Sequence, residues 1–311
     1  MKNKHSYEIA SSYLLAMTSI FRLKPIMKLY NTRHGIIIEY QDTKFKADEP
    51  WDTLVNRDNL EAYLLAKVEQ LSTITDDEEE IWLSDAALLP PIGSQEIWAA
   101  GVTYLQSRDA RMEESEMAAS LYDLVYEAER PELFFKATPQ RVSGHRQEIY
   151  IRKDSAWNVP EPELTLFIST SGVIQGYTIG NDMSSRSIEG ENALYLPQAK
   201  IYEKCAGLGP CLYVTAAPFE LESQIKMSIE RDGEVVFSGA ITVSRMKRSL
   251  TELAGFLFRE CDFPKGVFLM TGTCLVPPND FTLNVGDIVT ISIDGIGTLV
   301  NTIGVNVKHK Q

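Results

Sequence analysis

Histidine and cysteine are scarce in this chain, four of each in 311 residues. None of the cysteines (Cys205, Cys211, Cys261 and Cys274) stands in a C-x-x-C pair or beside a histidine, which excludes zinc-ribbon and dithiol redox motifs. Reduced thiols and a cytoplasmic location are the simplest expectation. Basic residues are also in deficit, 30 Lys and Arg against 43 Asp and Glu for a net charge of −13. No dense Lys/Arg cluster offsets that balance, so nucleic acid is not an expected partner. No apolar run approaches the roughly 18 residues of a membrane-spanning helix, and no internal repeat or low-complexity segment is present. With 44% hydrophobic and 23% charged residues, what remains is a globular chain long enough to bury an adequate core without disulfides.

The periodicity predicts an α+β, β-rich protein in three parts. Residues 1–26 read as an N-terminal extension: the start is basic and Tyr13 to Phe21 loosely apolar, but Glu8 and the missing small-residue cleavage pattern make a poor secretion signal. Residues 27–90 read as a small N-terminal domain. It holds a hairpin over 27–48, a helix carrying Leu60, Leu64, Val68 and Leu71, and a solvated acidic tract from Thr75 to Glu80. Pro90-Pro91 marks the boundary to a third part, 91–311. There a strand over Ile97–Val102 precedes a helix with Met117, Leu121, Leu124 and Ala128 on one face, stopped at Arg130-Pro131. Short β-branched and aromatic runs follow, with one more helix through Met246, Leu250, Leu253, Leu257 and Cys261.

The most informative stretch runs from Val159 to Asp182 and reads as a β-hairpin. If Ser171-Gly172 closes a two-residue loop, Thr170 pairs with Val173 and Glu161 falls opposite Asp182; Glu163, two residues on, shares the face of Glu161. Pro162 fits such a strand only at its start or on an edge, because it lacks the ladder donor. Three carboxylates on one face repel one another unless a cation sits among them. With oxygen donors and no His or Cys, that cation is a hard one: Mg²⁺ first, Mn²⁺ or Ca²⁺ otherwise. A solvated acidic edge is the other interpretation of the same spacing. Lys200 is a base beside a cation or a surface lysine, Glu132 an acid or a solvated helix-flanking residue, and Thr271-Gly272-Thr273 a binding loop or a tight turn.

The segments Pro131-Glu132-Leu133-Phe134-Phe135-Lys136, Glu161-Pro162-Glu163-Leu164, Gly176 to Arg186 and Thr271-Gly272-Thr273 occur in an order that resembles the fumarylacetoacetate hydrolase family, over roughly residues 85–308. Within it, Arg130 to Pro139, Gly144-His145 and Glu189 to Tyr202 are most similar to the 2-keto-3-deoxy-D-arabinonate dehydratases. The resemblance implies a β-roll catalytic domain behind a small N-terminal α/β domain, assembled as a homodimer or homotetramer. It implies Mg²⁺ on Glu161, Glu163 and Asp182, with Lys200 as base and Glu132 as acid or water-positioning group. Lys136, Arg186, Gln198, Tyr202 and Thr273 become candidate contacts to a small 2-keto acid.

The implied reaction is dehydration of a 2-keto-3-deoxy sugar acid, with Lys200 acting as base or, alternatively, as a Schiff-base lysine. The alternative chemistry is carbon–carbon hydrolysis or decarboxylation of an acylpyruvate or related keto acid. Against hydrolysis, the family's water-activating histidine position holds Ser107 in Thr103-Tyr104-Leu105-Gln106-Ser107, and a hydroxyl is a poor base at neutral pH. His145 reads as structural, and the charged segment Arg108 to Ser120 as a lid.

Overall fold

Consecutive apolar positions, as in Leu166 to Ile168 and Val267 to Met270, mark strands covered on both faces. Such strands occupy the centre of this fold. The computed structural model describes residues 26–104 and 124–307. Its strands are β1 (Ile26–Thr32), β2 (Gly35–Tyr40), β3 (Thr43–Ala47), β4 (Glu96–Gly101), β5 (Glu132–Ala137), β6 (Val142–Ser143), β7 (Glu148–Ile151), β8 (Asn158–Val159) and β9 (Pro162–Ile168). They continue as β10 (Ile174–Asp182), β11 (Ser184–Ser185), β12 (Ala206–Thr215), β13 (Gln224–Arg231), β14 (Glu234–Thr242), β15 (Val267–Met270), β16 (Ile288–Ile293) and β17 (Gly297–Val305). The helices are α1 (Trp51–Val55), α2 (Leu60–Val68), α3 (Asp76–Trp82), α4 (Arg186–Glu191), α5 (Leu196–Lys200) and α6 (Leu250–Leu257).

The larger sheet has ten strands in the order β3-β2-β1-β12-β10-β9-β15-β4-β5, with β6 added beside β12. The smaller has five, in the order β14-β13-β16-β17-β7. The strand-rich α+β class expected from the sequence is therefore the one observed. Even-numbered residues of β9 (Leu164, Leu166, Ile168) join Ile225, Met227, Ile229, Ile291 and Leu299 of the smaller sheet in one core. Phe167, on the opposite face, joins Met27, Leu29, Leu60, Leu64, Leu212 and Phe268 in a second core under the N-terminal helices. Each such aliphatic or aromatic side chain contributes about 1.5–3 kcal/mol on burial, so β9 is fixed from both sides.

Several local expectations change. The 27–48 region forms three antiparallel strands, with Gln41 and Asp42 both at positive φ (49° and 61°) in the turn between β2 and β3. β1 also pairs with β12, so hydrogen bonding runs unbroken from this region into the rest of the larger sheet. The acidic tract at Thr75 is helical: Thr75 and Glu78 form a reciprocal capping box, and the four acids of the first turn face the positive end of the α3 dipole. α6 spans only Leu250–Leu257, capped by Ser249, while Met246 bridges to Tyr104 outside it. Ser107, the segment Arg108 to Ser120, and Met117 and Leu121 lie outside the described residues. Among those described, no helix is long and apolar enough to cross a membrane.

The β9–β10 hairpin closes differently from the two-residue loop expected. Ser169 N–H donates to Val173 O and Gly172 N–H to Ser169 O, both at 2.9 Å, with Gly172 at φ 78°. The loop is thus one residue longer. A bulge at Gln175 then takes up one residue on β10, so that Gly176 pairs with Phe167 and Gly180 with Glu163. The two departures cancel, and Asp182 N–H donates to Glu161 O at 2.9 Å, the pairing expected from the shorter loop. The bulged Gln175 accepts from Leu60 N–H at 2.9 Å and so satisfies a donor at the start of α2.

Candidate metal centre

Side chains on β9 alternate between faces, so Glu161 and Glu163 continue the line of Thr165 and Phe167, away from the inter-sheet core. Pro162, between them, is the first residue of β9 and pairs with Asn181, whereas β15 covers β9 only as far as Thr165. Its missing N–H therefore falls where the ladder to β15 has already ended. Ligand oxygens of Glu161, Glu163 and Asp182 lie within 4.8 Å of one another, and each residue is 1% exposed. An oxygen-only, buried donor set of this size suits a hard divalent cation such as Mg²⁺.

Three cations back these carboxylates. Lys200, at the end of α5, donates from Nζ to Glu161 Oε2 (2.7 Å), Asp182 Oδ2 (3.1 Å) and Ser184 Oγ (2.6 Å). Arg186, opening α4, donates from one guanidinium nitrogen to Glu161 Oε1 at 2.6 Å. Lys136 Nζ, on β5, lies 2.5 Å from Asp182 Oδ1 and donates to Met183 O (2.9 Å) and Lys200 O (2.5 Å). Glu163 sits apart from them: Gly272 N–H donates to its Oε2 at 2.6 Å. Burial, followed by the charges of Asp182 and Glu161, pushes the Glu163 carboxyl well above the usual range, against the opposing pull of Gly272 N–H and Lys200. A divalent cation would remove that repulsion.

Gly272 reaches Glu163 from a turn at φ 94°, where a Cβ would lie 2.0 Å from Thr103 Oγ1. Thr103 Oγ1 itself donates to Thr271 O at 2.7 Å and holds the turn. The small cavity over the carboxylates is lined by Gly101, Phe134, Lys200, Gly272 and Thr273 as well. Glu132 pairs with Gly101 across β5 and β4, and a Cβ on Gly101 would lie 1.8 Å from Glu132 Oε2. The bare glycine is what admits that carboxylate beside the cavity.

Glu161, Glu163, Asp182, Lys200, Arg186 and Lys136 are brought together, with Glu132 and Thr273 at the cavity's margin. Tyr202 packs its ring 5.8 Å from Lys136 Nζ and 5.7 Å from Arg152, with a buried hydroxyl that burial pushes above the ordinary tyrosine range. Gln198 is exposed on α5, and its carbonyl accepts from Arg152. His145 lies against β17, accepting from Val300 N–H at 3.3 Å, and burial lowers its basicity. The sequence reading missed Ser184, which strand alternation beyond Asp182 would have put on the same face. It also missed the amide of Gly272, which has no side-chain signal. A larger apolar groove of about 730 Å³ between α2, the hairpin tip and α6 shares no residue with this cluster.

Residues 96–304 match the fumarylacetoacetate (FAA) hydrolase C-terminal family. The chain belongs to that family. It is 51% identical over 216 residues, 68% of this chain and 73% of the relative, to a probable 2-keto-3-deoxyxylonate dehydratase of Haloferax volcanii. Over 227 residues, 71% of this chain and 76% of the relative, it is 40% identical to 2-dehydro-3-deoxy-D-arabinonate dehydratase of Saccharolobus solfataricus. A solved structure of 2-keto-3-deoxy-D-arabinonate dehydratase with magnesium and 2,5-dioxopentanoate superposes with a TM-score of 0.76 at 32% identity, covering 91% of this chain and all of that one.

Proposed function

We propose that the protein is a Mg²⁺-dependent hydro-lyase that dehydrates a 2-keto-3-deoxypentonate, arabinonate or xylonate in type, to 2,5-dioxopentanoate. The observation that carries this reading is the buried carboxylate triad with Lys200 Nζ on two of its members, in a chain similar to dehydratases of both substrates. Glu161, Glu163 and Asp182 would hold the ion, which when bound supplies Lewis acidity at the C2 keto oxygen and so acidifies C3. Lys200, as the free amine that a cation beside it would favour, takes the C3 proton. Glu132, admitted by Gly101, gives a proton to the departing C4 hydroxyl directly or through water. Transfer of a C5 proton to C3 then gives the C4–C5 enol, and its ketonisation, with a proton gained at C4 and one lost from the C5 hydroxyl, gives the aldehyde. Thr273, which lines the cavity, is the candidate contact to the substrate's oxygens; Arg186 stands behind Glu161, and Arg186, Tyr202 and the exposed Gln198 would act from outside the cavity lining.

The four thiols are free, which supports a reducing, cytoplasmic setting. Assembly into a homodimer or homotetramer, and the division into parts at residues 26 and 90, complete the proposal.

The test is conversion of 2-keto-3-deoxyarabinonate and 2-keto-3-deoxyxylonate with Mg²⁺, with the aldehyde product followed through a coupled dehydrogenase. Lys200→Ala should lower kcat by about 10²–10⁴-fold while the protein still binds Mg²⁺, and borohydride should trap no substrate on Lys200. Faster turnover of an acylpyruvate than of either sugar acid would refute the assignment.

A further inference from the structure

Lys136 has an unusual set of partners for a residue beside a substrate cavity. It is 0% exposed, it is absent from the residues lining the cavity, and its ammonium faces three acceptors inside the protein. Its Nζ donates to Met183 O and Lys200 O and is ion-paired with Asp182 Oδ1 at 2.5 Å. Asp182 ends β10, Met183 directly follows it, and Lys200 is the last residue of α5. Asp182 is consequently held at both oxygens, by Lys136 on Oδ1 and Lys200 on Oδ2.

We propose that Lys136 is a positioning residue: it ties the backbone bearing Lys200 to the carboxylate and backbone of Asp182, and so sets the spacing between a cation ligand and the base of the reaction. The identity of the base rests on the function proposed above; the tie to Asp182 does not. Three features of the site favour this role over contact with substrate. α5 has only five residues, too short to hold its own position by helix propensity. Its C-terminal carbonyls are unpaired within the helix, and Lys136 binds the one at Lys200. The backbone N–H of Ile201 bonds instead to Pro197 O at 2.9 Å, so the turn that carries Lys200 is closed locally and anchored from outside by Lys136. Partners that orient a metal ligand are typically worth 10–100-fold in metal affinity.

The test uses the full chain. In Lys136→Gln, which keeps a donor but not the charge, Mn²⁺ or Mg²⁺ affinity by calorimetry should fall by about tenfold or more. At saturating metal kcat should fall by a similar factor, while KM for the sugar acid stays within about threefold. A KM rise above tenfold with kcat and metal affinity preserved would make Lys136 a substrate contact, and no change in any of the three would make it a structural residue only. Both outcomes overturn the proposal. Because removing a buried charge can prevent folding, the unaltered protein supplies a second reading: a crystal structure with Mg²⁺ and 2-oxobutyrate should keep Lys136 Nζ on Asp182 and both carbonyls. Contact between Lys136 Nζ and the keto acid would overturn the proposal without any variant. The affinity and crystal measurements read the tie even if no sugar acid is turned over, so failure of the dehydratase assignment is distinguishable from failure of this one.

Discussion

Two clusters in this protein are built from carboxylates, lysines and an arginine, and they behave in opposite ways. On the N-terminal segment Glu49 is held by Arg57, by Lys67 at 2.7 Å and by the Tyr63 hydroxyl at 2.8 Å. Partial burial pushes its carboxyl up, but hydrogen bonds from Lys67 and Tyr63 and the charges of Lys67 and Arg57 outweigh that and hold it below the usual range. In the larger sheet three carboxylates converge with Lys136, Lys200 and Arg186, yet Glu163 is driven upward. The number of cations does not separate the two. What separates them is that one carboxylate shares several cations in the first, whereas in the second carboxylates face each other away from water. The first cluster is satisfied as it stands; the second has room for more positive charge.

The largest effect should come from breaking the second cluster. In Glu161→Gln, Lys200 and Arg186 each lose a buried anionic partner, which should cost about 3–5 kcal/mol of stability in the metal-free protein. Loss of one ligand should also lower Mg²⁺-dependent turnover by about 10³-fold, since the Lewis-acid contribution is several kcal/mol and each ~1.4 kcal/mol is tenfold. Denaturant melts and initial rates would measure the two.

A smaller effect sharpens the contrast through pH. Glu163 is raised in the metal-free protein, so below that raised value it carries a proton, and an ion that takes the carboxylate must displace it. Mg²⁺ affinity should therefore rise with pH until the raised value is passed and then level off. Calorimetry in buffers of differing ionisation enthalpy should show proton release over that range; binding that neither releases protons nor strengthens with pH would contradict the electrostatic picture.

The smallest effect should be at the first cluster. Glu49→Gln should cost about 1 kcal/mol or less and leave Mg²⁺ affinity and turnover unchanged, because Glu49 touches none of the groups at the triad.

How far the sequence could be read depended on the kind of interaction involved. Strand alternation was enough to put Glu161 and Glu163 on one face, because a period of two is imposed by the backbone, whereas Asp182 falls opposite Glu161 only because the longer loop and the bulge at Gln175 offset each other. The β1–β12 pairing joins residues far apart in sequence and has no local signature. Neither has Lys136, whose partners include two carbonyl oxygens, nor Glu163, whose neutral donor is the amide of Gly272. Gln198 shows the converse: Lys200, two residues on, is buried in the cluster while Gln198 faces solvent on the same short helix, because residues two apart on a helix point to different sides.

The hairpin that carries the carboxylates has a mechanical property. From Ile174 to Asp182, β10 covers roughly 30 Å at ~3.3 Å per residue, and a one-residue slip anywhere along it would swing Asp182 to the opposite face. The bulge at Gln175 sits near the loop end of that span and is pinned by the amide of Leu60. It works as a slack adjuster: it takes up the one residue by which the Ser169–Val173 loop exceeds a two-residue turn, leaving the far end of the strand in step. The tip is itself anchored, by Ser169 and Ser171 on Asp58 and by Thr170 on Asn56 and Phe263 O, so the hairpin is held in step at the loop, at the bulge and at the carboxylates.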